Sequence, residues 1–287
     1  MKKNLLLEIE ERMSTFSKGQ KLISKYILEN YDKAAYMTAA KLGAIVNVSE
    51  STVVRFANEL GFEGYPEFQL ALQELMRTRL TSFQRMEVIN NRFSDGDILN
   101  KILLSDVDKI RRTIEEIDRD AFEKAVDNIV AAKNIYIIGV RSSSALAGFL
   151  AHSLRMVFDS VKFVQTTSGS EMFEQILGIG KGDVMIAISF PRYSKRIINA
   201  VDFAKNAGAD VIALTDSEMS PIASAADQLL IAKSDMVSFV DSLVAPLSLI
   251  NAIVVAVSIK KQEELTVRLR QLEQIWDEYD VYDKTPG

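Results

Sequence analysis

The sequence predicts a multi-domain α/β protein, in which an all-helical amino-terminal domain precedes a doubly wound parallel-sheet domain. Up to about residue 80, apolar residues recur at helical spacing. From Phe122 onward, short β-branched runs alternate with helical stretches, a pattern typical of a parallel sheet with helices on both faces. A length of 287 residues suits two domains. We expect a helical domain at 1–80, a connector at 81–107 and the sheet domain at 108–287.

Composition excludes several classes of function. The chain has no cysteine and one histidine, which rules out disulfides, thiolate metal sites and a histidine-rich metal centre. We therefore expect no metal and no cofactor. The first residues lack the apolar core of a signal peptide. The apolar run 243–259 is short for a membrane span and is interrupted by Pro246, Ser248 and Asn251, so we expect a cytoplasmic protein without a membrane partner.

The charge distribution permits nucleic-acid binding by the first domain. The net charge is +2 up to Arg85 and −7 for the remainder. The first strong helical pattern lies in LISKYILENYDKAAYM, where Leu22, Ile23, Tyr26 and Ile27 form an apolar stripe.

The stretch TAAKLGAIVNVSESTVVRFANELGF predicts two short helices joined by a tight turn. Thr38 and Ser49 are good helix N-caps, and each precedes a helical pattern. Asn47 lies where the turn needs a left-handed backbone, which asparagine tolerates. Gly43 is small where the helices would cross, and Val53 would fill the space between them. This spacing is typical of a helix-turn-helix.

The second of these helices has two different faces. An inward apolar stripe is formed by Val53, Phe56, Ala57 and Leu60. The opposite face carries short polar groups and one guanidinium, which suit base edges and phosphates in a major groove; with the N-cap and two lysines of an earlier helix, these candidate DNA-binding residues are Lys18, Lys21, Ser49, Ser51, Thr52, Arg55 and Asn58. A solvated face on an ordinary helical pair is the alternative.

In the second domain the candidate strands are NIYIIGV, VKFVQ, DVMIAIS, ADVIALT and QLLIA. The first strand ends at Gly139 and is followed by Arg141, Ser142, Ser143 and Ser144 before a helix rich in small residues. Backbone N–H groups, hydroxyls and a positive helix end together suit a phosphate. Ligands of such sheets bind at the carboxyl ends of the strands, so we expect a phosphate site there.

The two halves together resemble the RpiR family of bacterial transcription regulators. Residues Val48 to Phe68 match the family pattern VSxxTVxRFxxxLGFxGxxxF almost throughout. That family places a winged-helix-like DNA-binding domain before a sugar isomerase (SIS) domain, and the resemblance covers nearly the whole chain. It implies that Ser143 and Ser144 are the serines of the first phosphate loop.

A second loop, ISFPRYSK, is similar to the family's S-x-S-G-x-[ST] phosphate loop, with Ser189 and Ser194 on the matching positions. The chain departs from the family pattern in both loops. Arg141 replaces the second glycine of the first loop, and Pro191-Arg192, followed by Tyr193, replaces Ser-Gly in the second. Because arginine suits phosphate and carboxylate, we expect a ligand more anionic than a simple sugar monophosphate. The alternative is that both arginines pair with internal carboxylates and narrow the site.

The resemblance favours a regulator that senses a phosphorylated sugar and does not transform it. An isomerase needs a base beside the carbonyl, and Glu171 and His152 are the candidates. We expect Glu171 to accept a sugar hydroxyl and expect no catalytic residue. A phosphosugar isomerase with a helical appendage is the alternative function, and a SIS-like scaffold that only dimerises DNA-binding heads is a third. The family is typically dimeric, so we expect a homodimer or higher homo-oligomer on a palindromic operator, with 243–259 and 265–282 as candidate interfaces.

Overall fold

In the computed structural model, which describes residues 5–79, 97–165, 168–235 and 240–282, the chain divides into two units, Met1–Gln84 and Arg85–Gly287. The helices described in the first unit are α1 (Leu5–Glu11), α2 (Lys18–Ala34), α3 (Ala39–Val46), α4 (Glu50–Glu59) and α5 (Tyr65–Arg79).

The first unit is held together by apolar stripes on short helices. A reciprocal capping box starts α2: the Ser17 hydroxyl accepts from the Gln20 N–H, and the Gln20 side chain accepts from the Ser17 N–H. Ile23 and Ile27, predicted for the apolar stripe of α2, are fully buried. Leu22 was predicted for the same stripe and is 45% exposed, because it lies one position off the line that faces the core.

The second unit alternates helices and strands, and its described elements are α6 (Ile98–Glu116), α7 (Arg119–Ala131), β1 (Ile135–Gly139), α8 (Ser142–Arg155), β2 (Val161–Val164), α9 (Gly169–Ile176), β3 (Val184–Ile188), α10 (Lys195–Asn206), β4 (Asp210–Thr215), β5 (Gln228–Ile231), α11 (Val244–Lys260) and α12 (Gln262–Glu278). All five predicted strands form. Their order is β2-β1-β3-β4-β5, and every described pairing is parallel.

Both faces of the sheet are covered, as the near-continuous apolar runs predicted. Along β1, Ile135 and Ile137 join a core formed with α7, α8 and α11, whereas Tyr136 and Ile138 join a second core formed with α9 and α10. The side chains of a strand alternate between faces, so one five-residue run supplies two separate cores. The fold is therefore the predicted doubly wound α/β domain.

The apolar run near the carboxyl terminus forms α11, and one side of this helix is used inside the unit. Pro246, Leu249, Ile250, Ile253 and Val257 are buried. These side chains are unavailable to a partner, so only the opposite side of α11 is left for the predicted interface. In the described ranges no single helix has the length and apolar character needed to cross a membrane; α11 and α12 meet that test only as a pair bent by 97°.

The predicted connector at 81–107 is described only in part. Residues 80–96 lie outside the described residues, and α6 continues from Ile98 past residue 107 to Glu116 as one helix. The α6 helix packs against α11 in the second unit. The exact boundaries of the three predicted segments stay a prediction.

Candidate functional site: a recognition helix and a strand-end cleft

The turn between α3 and α4 has the predicted helix-turn-helix geometry. Asn47 ends α3 in the left-handed conformation, with φ 56° and ψ 49°. A Cβ added at Gly43 would lie 2.8 Å from the carbonyl oxygen of Val48, so glycine lets the turn pass close to α3. Thr38 and Ser49 cap the two helices, accepting from the N–H groups of Lys41 and Thr52. Local sequence chemistry therefore sets the angle at which α4 is presented.

The inward face of α4 is the predicted one. Val53, Phe56 and Ala57 are fully buried, and Leu60 is nearly so. The Phe56 ring contacts Phe16 edge-on, with ring centroids 5.2 Å apart. This contact fixes the rotation of α4 about its own axis within the first unit.

The opposite face carries the candidate base-reading residues. Ser49, Ser51, Arg55 and Asn58 are exposed, and Thr52 is half-buried. The Arg55 Nε donates to the Ser51 carbonyl at 3.2 Å, which holds the guanidinium along the helix surface. The Ser49 hydroxyl lies 2.8 Å from the Thr52 hydroxyl and 2.9 Å from that of Ser51. This face is a compact cluster of hydroxyls beside one cation.

An open groove of about 830 Å³ lies between this face and the start of α2. Its lining includes Ser49, Thr52, Arg55 and Asn58, and it also includes residues that sequence reasoning missed, namely Ser17, Gly19, Gln20, Val48 and Glu59. The exposed Lys18 and Lys21 belong to the same first turns of α2 but do not line the groove. The Ser17-x-x-Gln20 capping box could have indicated these residues from the sequence, because it predicts that α2 starts at the position that lines the groove.

Glu59 ties the end of α4 to α2 and to the residue that follows α1. Gln20 Nε2 donates to Glu59 Oε2 at 3.2 Å, and Arg12 Nη1 donates to the Glu59 carbonyl at 2.8 Å. The glutamate that lowers the positive charge of this surface therefore holds the helix in position.

The order of the strands changes direction between β1 and β3. After β1 the chain enters α8 on one face of the sheet, and after β3 it enters α10 on the other face. Gly139 and Ile188 pair in register, so the loops after β1 and β3 leave the sheet side by side. A crevice outside the strand ends at such a reversal is the usual ligand site of doubly wound sheets.

The first of these loops is built around Arg141. Arg141 has φ 57° and ψ −128°, a conformation normally adopted by glycine. It precedes α8, which starts at Ser142. Ser142 is exposed, Ser144 is half-buried and Ser143 is buried. The Ser143 carbonyl lies so close to Gly139 that a Cβ added at Gly139 would be 2.5 Å from its oxygen. Among the described residues no carboxylate forms an ion pair with Arg141, so the alternative of internal pairing has no support at this one of the two arginines.

The second loop also holds its arginine at positive φ. Arg192 has φ 65°, and Ser194 caps α10 by accepting from the Arg196 N–H at 3.3 Å. Ser189 is buried, and its carbonyl accepts from the Thr215 hydroxyl at 2.7 Å. The half-buried Tyr193 donates its phenol proton to Asp216 Oδ1 at 2.9 Å. Both loops thus keep a glycine-like backbone while carrying an arginine.

The two candidate proton-transfer residues lie on helices beyond the loops. Glu171 is exposed in the first turn of α9, and its N–H donates to the N-cap hydroxyl of Ser168. His152 is exposed three turns into α8. Thr215 at the end of β4, with Asp216 and Ser220 just after it, is buried, as are both of those residues. Asp216 is nevertheless a direct partner of Tyr193, a contact that spacing did not reveal.

Family models match both units. A model described as "Helix-turn-helix domain, rpiR family" matches residues 3–78, and a model described as "SIS domain" matches residues 128–256.

Individual relatives match nearly the whole chain. An HTH-type transcriptional regulator of Caldanaerobacter subterraneus is 26% identical over 282 residues, which is 95% of this chain and 96% of the relative. The HTH-type transcriptional regulator HexR of Pseudomonas aeruginosa is 24% identical, covering 95% of each chain. Among solved structures, Vibrio vulnificus NanR complexed with ManNAc-6P is 25% identical with a TM-score of 0.60, over 96% of this chain and 99% of that one.

Proposed function

The chain belongs to the rpiR family of helix-turn-helix transcriptional regulators with a SIS domain, and from this membership we propose that it binds operator DNA through α4 and senses a phosphorylated sugar. Ligand binding at the strand-end cleft modulates operator affinity. The protein performs no chemistry on the sugar.

The proposed DNA surface is the exposed side of α4. Ser49, Ser51, Thr52 and Asn58 supply short hydrogen-bonding groups, and Arg55 supplies a guanidinium for a guanine edge or a phosphate. Lys18 and Lys21 contact the DNA backbone from the first turns of α2. The burial of the opposite face supports this assignment, because it leaves one side of α4 for the groove.

The single observation that carries the ligand proposal is the glycine-like backbone at both Arg141 and Arg192. A non-glycine residue held at positive φ costs about 1–3 kcal/mol and persists where the surrounding structure or the function demands it. Retaining that geometry in two neighbouring strand-end loops supports a preserved phosphate cradle. Two guanidiniums at its mouth favour a phosphorylated sugar acid or a bisphosphate. That the related NanR has been solved with ManNAc-6P supports a phosphorylated sugar as the effector.

The remaining residues of the cleft are assigned to binding. Ser142, Ser143, Ser144, Ser189 and Ser194 contact the phosphate through hydroxyls and N–H groups. Tyr193 closes one side of the cleft, and Glu171 accepts a sugar hydroxyl.

The regulator acts as a homodimer or higher homo-oligomer on a palindromic operator. The exposed side of α11, with Leu247, Val255 and Ile259, and the exposed apolar residues of α12 are the proposed contacts. Two-fold pairing gives each operator half-site one recognition helix.

A two-part measurement tests the function. A duplex is first enriched from a random library by in vitro selection on the full-length protein. Thermal shift and calorimetry then compare glucose 6-phosphate, 6-phosphogluconate and fructose 1,6-bisphosphate, followed by anisotropy of the labelled duplex with each compound. We expect the more anionic compounds to bind more tightly and to change operator affinity. Failure to enrich any duplex, together with turnover of a sugar phosphate, would establish the isomerase alternative.

A further inference from the structure

The helix α6 is docked by its polar side and exposes its apolar side. Leu103, Val107 and Ile114 are 54%, 61% and 59% exposed. By contrast, Lys109 is 1% exposed and Thr113 8% exposed. A lysine is almost never buried without a specific polar partner, so this side of α6 is built for defined contacts.

The buried side of α6 meets the chain that leaves β5. The Lys233 N–H donates to Thr113 Oγ1 at 2.9 Å, and the same hydroxyl donates to the Lys109 carbonyl at 2.8 Å. Next to Thr113, Arg112 Nη1 donates to Asp235 Oδ2 at 2.7 Å, and about one turn further on Glu116 pairs with Lys233.

A second polar contact joins α6 to the chain just before α11. Ser242 Oγ donates to Asp106 Oδ1 at 2.7 Å, and Lys109 Nζ lies 3.3 Å from the same oxygen. Ser234 Oγ donates to the Ser242 carbonyl at 2.9 Å. Residues 233–235 and 242, which we call the β5 exit, are thus held to each other and to α6 by hydrogen bonds.

The β5 exit is connected to the second ligand loop through the end of β4. The Ala232 N–H donates to the Thr215 carbonyl at 2.8 Å. The Thr215 hydroxyl donates to the Ser189 carbonyl at 2.7 Å and lies 3.2 Å from Asp216 Oδ1, the acceptor of the Tyr193 phenol. Since Thr215 and Ser189 are buried, displacement of this loop changes hydrogen bonds that water does not replace.

We propose that this hydrogen-bonded chain transmits ligand binding to α6, and that Thr113 is the positioning residue at which the signal enters the helix. The proposal rests on the proposed function, since it describes how that same cleft controls the operator. A ligand that engages Arg192 and Tyr193 shifts the Asp216 and Thr215 contacts, and the β5 exit moves with them. The polar docking of α6 then takes a second arrangement, and the chain preceding α6 leads back to the DNA-binding unit.

The test separates coupling from either binding event. Full-length wild type is compared with Thr113→Val, which keeps the shape but removes the hydroxyl, and with Thr113→Ser, which restores it. Arg112→Gln breaks the half-buried contact to Asp235. Its matched control is Arg111→Gln, because the partner of Arg111 among the described residues is Asp108, within α6 itself.

Calorimetry measures affinity for 6-phosphogluconate and fructose 1,6-bisphosphate, and anisotropy measures affinity for the selected duplex with and without each compound. In wild type we expect the sugar phosphate to change operator affinity about five-fold or more. In Thr113→Val the ratio of operator affinities with and without the sugar phosphate falls to less than about two-fold. The affinity for the sugar phosphate and the operator affinity of the unliganded protein both stay within about two-fold of wild type. Thr113→Ser and Arg111→Gln keep the wild-type ratio, and Arg112→Gln lowers it.

A Thr113→Val protein that keeps the full ratio overturns the proposal, as does one that loses sugar-phosphate binding itself. If Thr113→Val does not fold, Arg112→Gln decides, and an unchanged ratio in that variant overturns the proposal. Failure of the proposed function is distinguishable, because the wild type would then show no response to either compound; this result overturns both.

Discussion

Replacement of Arg141 by glycine should stabilise the second unit relative to replacement by alanine, and both replacements should weaken ligand binding. Arg141 holds φ 57° and ψ −128° immediately before α8. Glycine adopts this conformation without steric cost, whereas alanine and arginine do not. Arg141→Gly removes both the backbone strain and the guanidinium, and Arg141→Ala removes only the guanidinium. The pair therefore separates the two contributions.

The expected magnitudes follow from this geometry. Relief of strain contributes about 1–3 kcal/mol to the free energy of unfolding. The greater freedom of glycine in the unfolded chain offsets about 0.5–1 kcal/mol of that. Arg141→Gly should therefore be more stable than Arg141→Ala by up to about 2.5 kcal/mol. Loss of a charge-assisted hydrogen bond should weaken sugar-phosphate binding in both variants by about 1.5–3 kcal/mol, or roughly 10- to 150-fold in Kd.

The assay can follow the second unit alone, since Trp276 in α12 is the chain's single tryptophan. Urea unfolding monitored by tryptophan fluorescence gives the stability difference. Calorimetry with 6-phosphogluconate gives the change in Kd. Gly169→Ala is the control, since a Cβ at Gly169 meets nothing within 4 Å and its φ is ordinary. There alanine should be the more stable residue by about 0.4–1 kcal/mol.

Two results would refute the reasoning. An Arg141→Ala protein more stable than Arg141→Gly by about 0.5–1 kcal/mol would mean that the backbone at this position carries no strain, because only the freedom of glycine in the unfolded chain would then separate the two variants. Unchanged Kd in both variants would mean that the guanidinium does not meet the ligand.

Three further predictions concern the DNA-binding unit. Arg55→Ala should weaken binding to the selected duplex by about 1–3 kcal/mol in anisotropy titrations, and unchanged affinity would remove Arg55 from the reading surface. Gly43→Ala would force a Cβ to 2.8 Å from the Val48 carbonyl oxygen, so circular dichroism melting should show a destabilised first unit and operator binding should fall, while sugar-phosphate affinity stays the same. Burial raises the pKa of Tyr65 to about 12, so its contribution to stability is complete below pH 10 and is lost as pH rises through 12. Tyr65→Phe should lack this alkaline loss relative to wild type, yet be less stable at neutral pH by about 1 kcal/mol, because the hydrogen bond from the phenol to the Met37 carbonyl is lost while the one from Gln69 Nε2 remains.

The elements were predictable because their signals are local. Each β-branched run bounded by turn residues formed a strand, since its apolar side chains can be buried on both faces of a parallel sheet. Asn47, Thr38 and Ser49 specified the helix-turn-helix because left-handed turns and N-caps depend on a few neighbouring residues. The positions of the two arginine-bearing loops along the chain could be predicted for the same reason.

Other features depended on packing and gave no local signal. The exposure of Leu22 depends on which line of α2 faces the core, and adjacent apolar residues do not reveal that. The use of one side of α11 inside the second unit depends on α6, α7 and α8, which contact it from distant parts of the sequence.

By itself the sequence determined the two-part architecture, the strands, the turn before α4 and the two arginine-bearing loops, because short-range steric and hydrophobic patterns encode each of them. Only the tertiary structure decided that Arg141 and Arg192 share a glycine-like backbone, that Glu59 ties α4 to α2, and that α6 is docked through Lys109 and Thr113. These features join residues far apart in the chain, with Thr113 and Lys233 separated by 120 positions. A hydrogen bond of that separation depends on how whole elements pack, and no spacing rule within one element specifies it.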